Sequence, residues 1–323
     1  MNNIISLADN SAVYDVAKVT PLSIAVQISE RFGNQIYLKR EDEQSIHSFK
    51  LRGAYQKMSS LSDEQKIKGV VASSAGNHAQ GVALAAKKLK IRAVIVMPIS
   101  TPKIKVQAVQ QLGAEVILHG DVYDDAFQHA NKLCSEKDLN FIHPYDDIDV
   151  IAGQATVAKE ILSQLEDVDF VFVPVGGGGL ISGIAAALKH ANASTKVIGV
   201  EPVGASCMVS SLAVGHPVTL DVADSLADGL LPVRPGDLTF SHVQTLVDEM
   251  VMVEESAIER AVVWLCRHAK VVVEPSGAVS VAAALMREAE SDSGLTVAVL
   301  SGGNIALPAL VDLLKARAIS PSQ

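Results

Sequence analysis

Short apolar runs that alternate with longer amphipathic segments are the feature that most constrains the fold of this chain. Runs such as FVFVPV (170–175) and TVAVL (296–300) are apolar at successive positions and lack the polar alternation of a half-exposed strand. Such strands are typically buried on both faces of a parallel sheet. The pattern predicts strands at residues 35–38, 69–72, 92–97, 115–118, 170–174, 196–200 and 296–300.

The segments between these runs predict helices. In residues 151–165, Val157, Ile161 and Leu165 repeat at four-residue spacing, which places them on one face of a helix. Ala-rich segments of the same kind lie at 81–89, 180–189 and 279–289. Alternation of strand and helix over the whole length predicts an α/β fold with parallel sheets. The Pro- and Asp-rich HPYDDIDV (143–150) is the best candidate for a crossing between two domains.

The composition restricts the partners and the compartment. With 49% hydrophobic and 20% charged residues in a length of 323, the chain is globular and not disordered. A net charge of −9 argues against a nucleic-acid partner, and the lack of an 18-residue apolar run argues against a membrane partner. Cys134, Cys207 and Cys266 are far apart, which predicts free thiols in a reducing compartment. The N-terminus lacks a signal-peptide pattern, so we expect a cytoplasmic location.

Four consecutive glycines follow one predicted strand. In VPVGGGGLISGIAAAL (173–188), they lie between an apolar strand and an apolar helix. Glycines leave backbone N–H groups uncovered and a helix start carries partial positive charge, so this stretch predicts a phosphate site. A tight turn without a ligand is the plain alternative. The dinucleotide fingerprint GxGxxG fails at Ile181, and the P-loop pattern GxxxxGK[ST] does not occur.

Two further motifs follow predicted strands. In SSAGNHAQG (73–81), small residues expose N–H groups to an anion, Asn77 offers a donor and His78 a switchable polar group. A helix cap explains part of this motif. SGGN (301–304) places Ser301 at the C-terminal end of a strand, where ligands bind in open α/β sheets, although SGGN alone is not specific.

The stretch HSFKLRGAY (47–55) contains a candidate nucleophile, Lys50, directly after Phe49. Taken alone, a surface lysine is the plain interpretation. An uncharged lysine attacks aldehydes, and an apolar neighbour lowers the lysine pKa from about 10.4 by desolvation. HExxH and GxSxG are absent from the sequence. One phosphate cradle, one candidate amine and no metal motif together predict pyridoxal 5'-phosphate (PLP) as the cofactor.

These motifs resemble those of a known family. HSFKLRGAY, SSAGNHAQGVA, VPVGGGGL and EPSGA (274–278), with VTPL (19–22) and SGGN near the ends, are similar to the fold-type II PLP enzymes. Within that family the resemblance is strongest to the threonine dehydratase (threonine ammonia-lyase) group, with serine dehydratase and serine racemase close by. It implies a tryptophan synthase β-like architecture of two open, twisted, mostly parallel sheets flanked by helices.

The resemblance also implies a domain organisation. Residues 1–53 and 147–323 would form a large PLP-binding domain, and residues 54–146 a small mobile domain that covers the substrate. A homo-oligomer, dimer or tetramer, is expected. The sequence looks like the catalytic domain of the biosynthetic, isoleucine-pathway enzyme, and the C-terminal regulatory domain that binds isoleucine is expected to be absent.

Site residues follow by motif from the same resemblance. Lys50 would hold PLP as a Schiff base and act as the catalytic base, and Phe49 would pack against the ring. Asn77 would hydrogen-bond the ring 3′-oxygen, and Ser301 would meet the pyridine nitrogen. Backbone N–H groups for the phosphate would come from Gly176, Gly177, Gly178, Gly179 and Leu180. The residues bordering the substrate carboxylate would be Ser74, Ala75, Gly76 and His78.

The implied reaction is dehydration and deamination of L-threonine to 2-oxobutanoate and ammonia, and of L-serine to pyruvate. A racemase needs a proton donor on the ring face opposite the lysine, and serine racemases supply it with a serine just before Gly-Asn-His. Here that position is Ala75, which has no proton to give, so dehydration is favoured. Three alternatives stay open: serine racemase, an ammonia-lyase for another β-hydroxy amino acid such as 3-hydroxyaspartate, and a catalytically silent ligand-sensing module.

A metal site is not expected. A racemase-like site would use Glu201, the carbonyl of Ala205 and an acid two residues further on, where this chain has Cys207. Hard divalent cations prefer oxygen ligands. Glu201 and Ala205 are therefore only weak metal candidates.

Overall fold

A computed structural model describes residues 1–32, 35–288 and 294–318, which form two β-sheets flanked by helices. The strands, numbered in chain order, are β1 (Leu22–Ile24), β2 (Gln35–Arg40), β3 (Val70–Ser73), β4 (Ala93–Met97), β5 (Glu115–Leu118), β6 (Asn140–Phe141), β7 (Phe170–Pro174), β8 (Lys196–Pro202), β9 (Glu249–Val253) and β10 (Leu295–Leu300).

The helices surround these strands on both faces of each sheet. In chain order they are α1 (Asn2–Asp9), α2 (Val26–Phe32), α3 (Lys50–Ser59), α4 (Asp63–Lys68), α5 (Asn77–Leu89), α6 (Lys103–Gln111), α7 (Tyr123–Lys137), α8 (Ile148–Gln164), α9 (Gly179–Ala191), α10 (Cys207–Val214), α11 (Asp237–Leu246), α12 (Glu255–Trp264), α13 (Pro275–Glu288) and α14 (Leu307–Ala318).

The two sheets differ in size and in their place along the chain. The larger sheet has the order β1-β2-β10-β7-β8-β9. Among its described strands, only β1 runs antiparallel to its neighbour. The smaller has the order β5-β4-β3-β6 and is parallel throughout. All strands of the smaller sheet lie between residues 70 and 141. The predicted α/β fold with two mostly parallel sheets is confirmed.

Helices cover both faces of the larger sheet, which explains its continuous apolar strands. Val171 and Val173 of β7 pack with α8 and α9, whereas Phe172 points to the opposite face and packs with α12 and α13. The smaller sheet is covered in the same way, by α5 on one face and α7 on the other. Adjacent strand residues are therefore both buried, as expected for parallel sheets.

The seven predicted strands are present, with ends shifted by at most two residues. The strands that the sequence did not predict are β1, β6 and β9. Strands β1 and β6 have three and two residues, too few for a periodic pattern, and β9 is a partly exposed edge strand. Residue Ala289 of the predicted helix at 279–289 lies outside the described residues, and α13 begins earlier, at Pro275.

The segment HPYDDIDV leads into a helix start. Asp147 is the N-cap of α8, and its side chain accepts hydrogen bonds from the backbone N–H groups of Asp149 and Val150. An aspartate at this position satisfies N–H groups that lack an intrahelical acceptor. In the described part of the chain, no helix has the length and apolar character needed to cross a bilayer.

A cluster of buried charges ties α3 to the larger sheet and to α8. Arg52 donates to both carboxylate oxygens of Glu41, at 2.8 and 2.9 Å, and forms an ion pair with Glu160 at 2.7 Å. Glu160 also pairs with Lys39 at 2.7 Å. These side chains are almost completely excluded from solvent, and the two positive and two negative charges balance.

Replacing Arg52 by methionine is expected to lower the free energy of unfolding by about 3–5 kcal/mol, because buried Glu41 loses its ion-pair partner and buried Glu160 loses one of its two. Urea denaturation followed by circular dichroism measures this change. Arg92→Met is the matched control, since the Arg92–Glu115 pair is about half exposed and such pairs contribute less than about 1 kcal/mol. Equal losses in the two variants would contradict the prediction.

Candidate active site

Lys50 is the first residue of α3 and its side chain is half-buried. Its Nζ donates a 2.9 Å hydrogen bond to the carbonyl oxygen of Pro144 and lies 5.3 Å from the centroid of the Phe49 ring. Burial lowers the pKa of the Lys50 amine to about 8, since desolvation disfavours the charged form. A substantial fraction of this amine is therefore neutral and nucleophilic near physiological pH.

The glycine stretch joins the end of β7 to the start of α9. Gly178 has a φ of 94°, a left-handed conformation that glycine adopts without the strain a side chain would bring. The first N–H groups of a helix have no intrahelical acceptor, and in the described residues no side chain caps α9. Several backbone donors and the positive end of the helix dipole are thus available at one place.

Tyr145 connects Lys50 to the glycine stretch. A Cβ atom on Gly177 would overlap the Tyr145 ring, and one on Gly179 would lie 2.9 Å from the Tyr145 Cα. The neighbouring residue, Pro144, is the one that accepts the hydrogen bond from Lys50. The candidate nucleophile and the candidate phosphate loop therefore contact the same short segment.

The side chain of Asn77 lies in a chain of hydrogen bonds. Its Nδ2 donates to Glu274 Oε1 at 2.6 Å, and its Oδ1 accepts from Asn304 Nδ2 at 2.6 Å. Asn304 Nδ2 also donates to the carbonyl oxygen of Ile46 at 2.8 Å. The motifs that begin at residues 73, 274 and 301 therefore meet, although they are far apart in the sequence.

The Glu274 carboxyl group is buried, and this burial raises its pKa to about 7. The negative charge of Asp228 raises the pKa as well, whereas the hydrogen bond from Asn77 and the charge of Lys105 lower it. Lys105 and Asp228 are themselves an ion pair, 3.0 Å apart. The acid beside Asn77 thus titrates close to neutral pH.

Ser301 lies against the Lys50 segment. Its carbonyl oxygen accepts a 3.2 Å hydrogen bond from the backbone N–H of Phe49, and its hydroxyl donates to the Ser276 carbonyl oxygen at 3.3 Å. The next residue, Gly302, forms a β-bridge with Ser48. The end of β10 thus brings a buried hydroxyl close to the two residues that precede the lysine.

The residues expected to border a substrate carboxylate form the turn between β3 and α5. Ser74 Oγ accepts a hydrogen bond from the backbone N–H of Gly76 at 3.2 Å, and Ala75 lies between them. His78 is buried, and its Nε2 is 2.9 Å from the Ile142 carbonyl oxygen. Since a carbonyl only accepts, this nitrogen carries the proton.

Burial, and then the nearby charge of Lys50, lower the pKa of His78 to about 3. Its imidazole is therefore neutral and already bonded to the backbone. A direct contact of this side chain with a substrate stays a prediction, and the N–H groups at the start of α5 are the available anion donors.

The weak metal candidates have other partners. The two carboxylate oxygens of Glu201 accept 2.9 Å hydrogen bonds from the backbone N–H groups of Met208 and Val209, at the start of α10. Cys207 Sγ lies 3.8 Å from Glu201 Oε1, and Ala205 is buried in a 3₁₀ turn. Among the residues described, no group of three or more His, Cys, Asp or Glu side chains could hold a metal ion.

Sequence reasoning assigned no role to Tyr145, Glu274 or Asn304. Glu274 had a usable signal, because it is a single acid within the apolar stretch VVVEPSGAV (271–279) and a buried acid requires a partner. Asn304 belongs to SGGN, but only Ser301 of that motif was interpreted. Tyr145 gave no signal, since its contact with the glycine loop depends on how two distant segments pack.

Together these groups fit a ligand that carries both a phosphate and an aldehyde. Backbone donors at the start of α9 suit the phosphate, and the lack of Cβ atoms at Gly177 and Gly179 lets Tyr145 pack directly against this loop. The partly neutral amine of Lys50 suits the aldehyde. The Asn77 amide and the Ser301 hydroxyl supply neutral hydrogen-bonding groups. PLP has this combination of chemical groups.

Comparison with known sequences identifies a matching family and several close relatives. The family model described as pyridoxal-phosphate dependent enzyme matches residues 13–302. The chain is 48% identical over 298 residues to a biosynthetic L-threonine dehydratase of Pasteurella multocida, which covers 92% of this chain and 58% of that protein. It is 47% identical over 291 residues to an L-threonine ammonia-lyase of Thermotoga maritima, covering 90% and 72%.

Solved structures give the same result. The processed form of threonine deaminase isoform 2 from Solanum lycopersicum has a TM-score of 0.94 at 45% identity, covering 97% of this chain and 92% of that one. Maize serine racemase has a TM-score of 0.90 at 36% identity, covering 98% and 97%. The chain spans 46–58% of the length of the first curated relatives it matches. The chain belongs to the family of pyridoxal-phosphate dependent enzymes.

Proposed function

We propose that this chain catalyses the dehydration and deamination of L-threonine to 2-oxobutanoate and ammonia, and of L-serine to pyruvate, with PLP as cofactor. The observation that carries the proposal is the position and pKa of the Lys50 amine. Burial lowers this pKa to about 8, and the amine donates to the carbonyl oxygen of Pro144, next to the Tyr145 that packs on the glycine loop. Relatives named threonine dehydratase or threonine ammonia-lyase, at 47–50% identity, support this choice of substrate.

The chain's own groups would bind PLP at four points. The N–H groups of Gly176 to Gly179 and Leu180 would hold the phosphate, where the α9 dipole adds to the attraction. Lys50 would bind the aldehyde carbon, with Phe49 against the ring. Asn77 would donate to the ring 3′-oxygen. The Ser301 hydroxyl would meet the ring nitrogen without forcing a proton onto it.

The reaction needs one base and a place for the electron pair left at the substrate Cα. PLP supplies that place when it is bound, because its ring conjugates with the substrate nitrogen. Lys50 Nζ would take the Cα proton as a general base, with a contribution of about 10²–10⁴-fold, and would then return a proton to the β-hydroxyl, which leaves as water. N–H groups of the turn from Ser74 to Gly76, with those at the start of α5, would hold the substrate carboxylate.

Elimination is favoured over racemisation by the residue at position 75. A racemase needs an acid that returns a proton to the second face of Cα, and the methyl group of Ala75 carries none. Serine racemase is the second candidate, because the maize enzyme is 36% identical over nearly the whole chain. Detection of D-serine distinguishes the two.

We also propose a division into domains at residues 1–53, 54–146 and 147–323, with the middle segment mobile. It is supported by the smaller sheet, whose strands all lie between residues 70 and 141. A homo-oligomer, a cytoplasmic location and a role in isoleucine biosynthesis complete the proposal, the last supported by relatives named biosynthetic.

The activity is tested on a panel of β-hydroxy amino acids. PLP-loaded protein is expected to release ammonia from L-threonine and L-serine, with 2-oxobutanoate and pyruvate as the keto acids identified by mass spectrometry. Lys50→Ala is expected to retain phosphate-dependent PLP binding and to lose ammonia release. Turnover by this variant at the wild-type rate, or D-serine as the main product from L-serine, would reject the proposal.

The lowered pKa of Lys50 predicts how PLP uptake depends on pH. Only the neutral amine attacks the aldehyde, so the rate at which the yellow, borohydride-reducible adduct forms is expected to rise as the pH is raised through about 8 and then to level off. Stopped-flow absorbance measures this rate. A rate that still increases above about pH 10 would indicate an ordinary exposed lysine.

A comparison of alanine variants at two glycines with the same φ distinguishes the effect of backbone strain from the effect on phosphate binding. Gly178 and Gly113 both have a φ of 94°, so an alanine at either position costs about 1–2 kcal/mol of stability. A Cβ on Gly178 would lie 2.8 Å from Met208 and 2.9 Å from Thr239, whereas Gly113 has open space around it. Gly178→Ala is expected to raise the Kd for PLP, measured by fluorescence titration, at least about tenfold. Gly113→Ala should leave the Kd unchanged, and equal Kd values in both variants would argue against the phosphate loop.

A further inference from the structure

The carboxamide of Asn77 is held in one orientation by its neighbours. Its oxygen accepts from Asn304 Nδ2, and its nitrogen donates to Glu274 Oε1, each at 2.6 Å. With Glu274 ionised, rotating the amide by 180° would place two donors together on one side and two acceptors together on the other. Both contacts would then be lost, and a mispaired polar group that is partly buried is costly.

The orientation is anchored in the main chain. Asn304 Nδ2 donates to the carbonyl oxygen of Ile46 as well as to Asn77, and a backbone carbonyl accepts but never donates. Asn304 must therefore present its nitrogen, and not its oxygen, to this cluster. Glu274, at the other side of Asn77, is fixed through its own backbone N–H, which donates to the carbonyl oxygen of Gly302 at 3.2 Å.

The arrangement uses one of the two hydrogens on Asn77 Nδ2. A carboxamide nitrogen carries two N–H groups about 120° apart, and Glu274 accepts one of them. With the amide locked, the direction of the second N–H is fixed as well. An apolar residue at position 274 or an acid at position 304 would remove one side of this lock.

We propose that Glu274 and Asn304 are positioning residues, which orient the Asn77 carboxamide so that its second N–H points at the ring 3′-oxygen of PLP. The inference rests on the proposed function for the place of PLP, and it extends that function to two residues without an assigned role. Neither residue takes part in proton transfer. Their effect reaches the cofactor only through Asn77.

The groups around Glu274 agree with this role. Asp228 and Lys105 are the charged side chains that act on its carboxyl group, and Lys105 pairs with Asp228. Glu274 is thus left with the neutral Asn77 amide as its hydrogen-bonding side chain. A buried acid with a raised pKa and an amide for a partner gains little stability from that contact, which is consistent with a role in orienting the amide.

The test measures PLP binding without substrate. Two quantities are recorded for the PLP-loaded protein: the Kd for PLP and the pH at which the visible absorption band changes. Asn77→Ala sets the scale. Loss of its N–H is expected to weaken PLP about tenfold or more. It should also move the spectral transition up by about one to two pH units, because the lost dipole had disfavoured the protonated form of the bound cofactor.

The positioning variants are compared with that scale. Glu274→Leu and Asn304→Asp are expected to reproduce at least half of the Asn77→Ala spectral shift. Glu274→Gln is the conservative control, since its side-chain oxygen can still accept from Asn77, and it should keep the wild-type spectrum. The double variant Asn77→Ala/Glu274→Leu is expected to shift no further than Asn77→Ala alone, because both changes act on the same N–H.

Two results would overturn the inference: a wild-type spectral transition in Glu274→Leu, or additive shifts in the double variant. Circular dichroism checks that each variant is folded, so that a general loss of structure is not read as a positioning effect. Ammonia release is measured separately. A wild-type protein that binds PLP but releases no ammonia would reject the proposed activity, while the spectral shifts would still decide the roles of Glu274 and Asn304.

Discussion

The ion cluster around Arg52 determines where the Lys50 amine stands. The two residues are two positions apart on α3, and the planar guanidinium of Arg52 binds both oxygens of Glu41. Bidentate pairing of this kind fixes direction as well as distance. Because Arg52 also pairs with Glu160 of α8, rotation or sliding of α3 would break contacts to two other elements. The helix that carries the lysine is therefore fixed by a contact that lies outside the site.

The balance of charges within this cluster matters for the amine. Lys39 and Arg52 contribute two positive charges, and Glu41 and Glu160 contribute two negative ones. Such a cluster projects little net field onto its surroundings, and burial is accordingly the one cause of the lowered Lys50 pKa. The structure thus orients α3 with strong electrostatic contacts and leaves the nucleophile to be tuned by desolvation alone.

The sequence could predict features that depend on neighbouring residues, but not contacts between segments far apart in the chain. Buried strands such as β7 were predictable because Val and Ile runs are local, and so was the placement of Gly178 and Ser301 just after strands. The short strands β1 and β6 have no local pattern. Asn77 and Asn304 are 227 residues apart, so their contact depends on how two segments pack and could not be read from either motif. Family resemblance implied roles for Lys50 and Asn77, whereas Glu274 and Asn304, which hold Asn77, are recognised only from their contacts in the fold.

Two buried acids show how differently the fold treats similar groups. Burial raises the pKa of Glu201 and of Glu274 to about 7, above the value near 4.5 of an exposed glutamate. The folded state then binds more protons than the unfolded state between pH 4.5 and 7, so each acid lowers stability as the pH rises through that range, by about 3 kcal/mol when complete. For Glu201 this value already includes the lowering effect of two backbone N–H groups at the start of α10, which its carboxylate accepts. Glu274 accepts one hydrogen bond from a side-chain amide, that of Asn77. Glu274 carries the same cost as Glu201 but, among the described residues, accepts from no helix N-terminus, and it contacts the residue expected to bind the cofactor ring. Its presence is therefore better explained by what it does for the site than by what it does for stability.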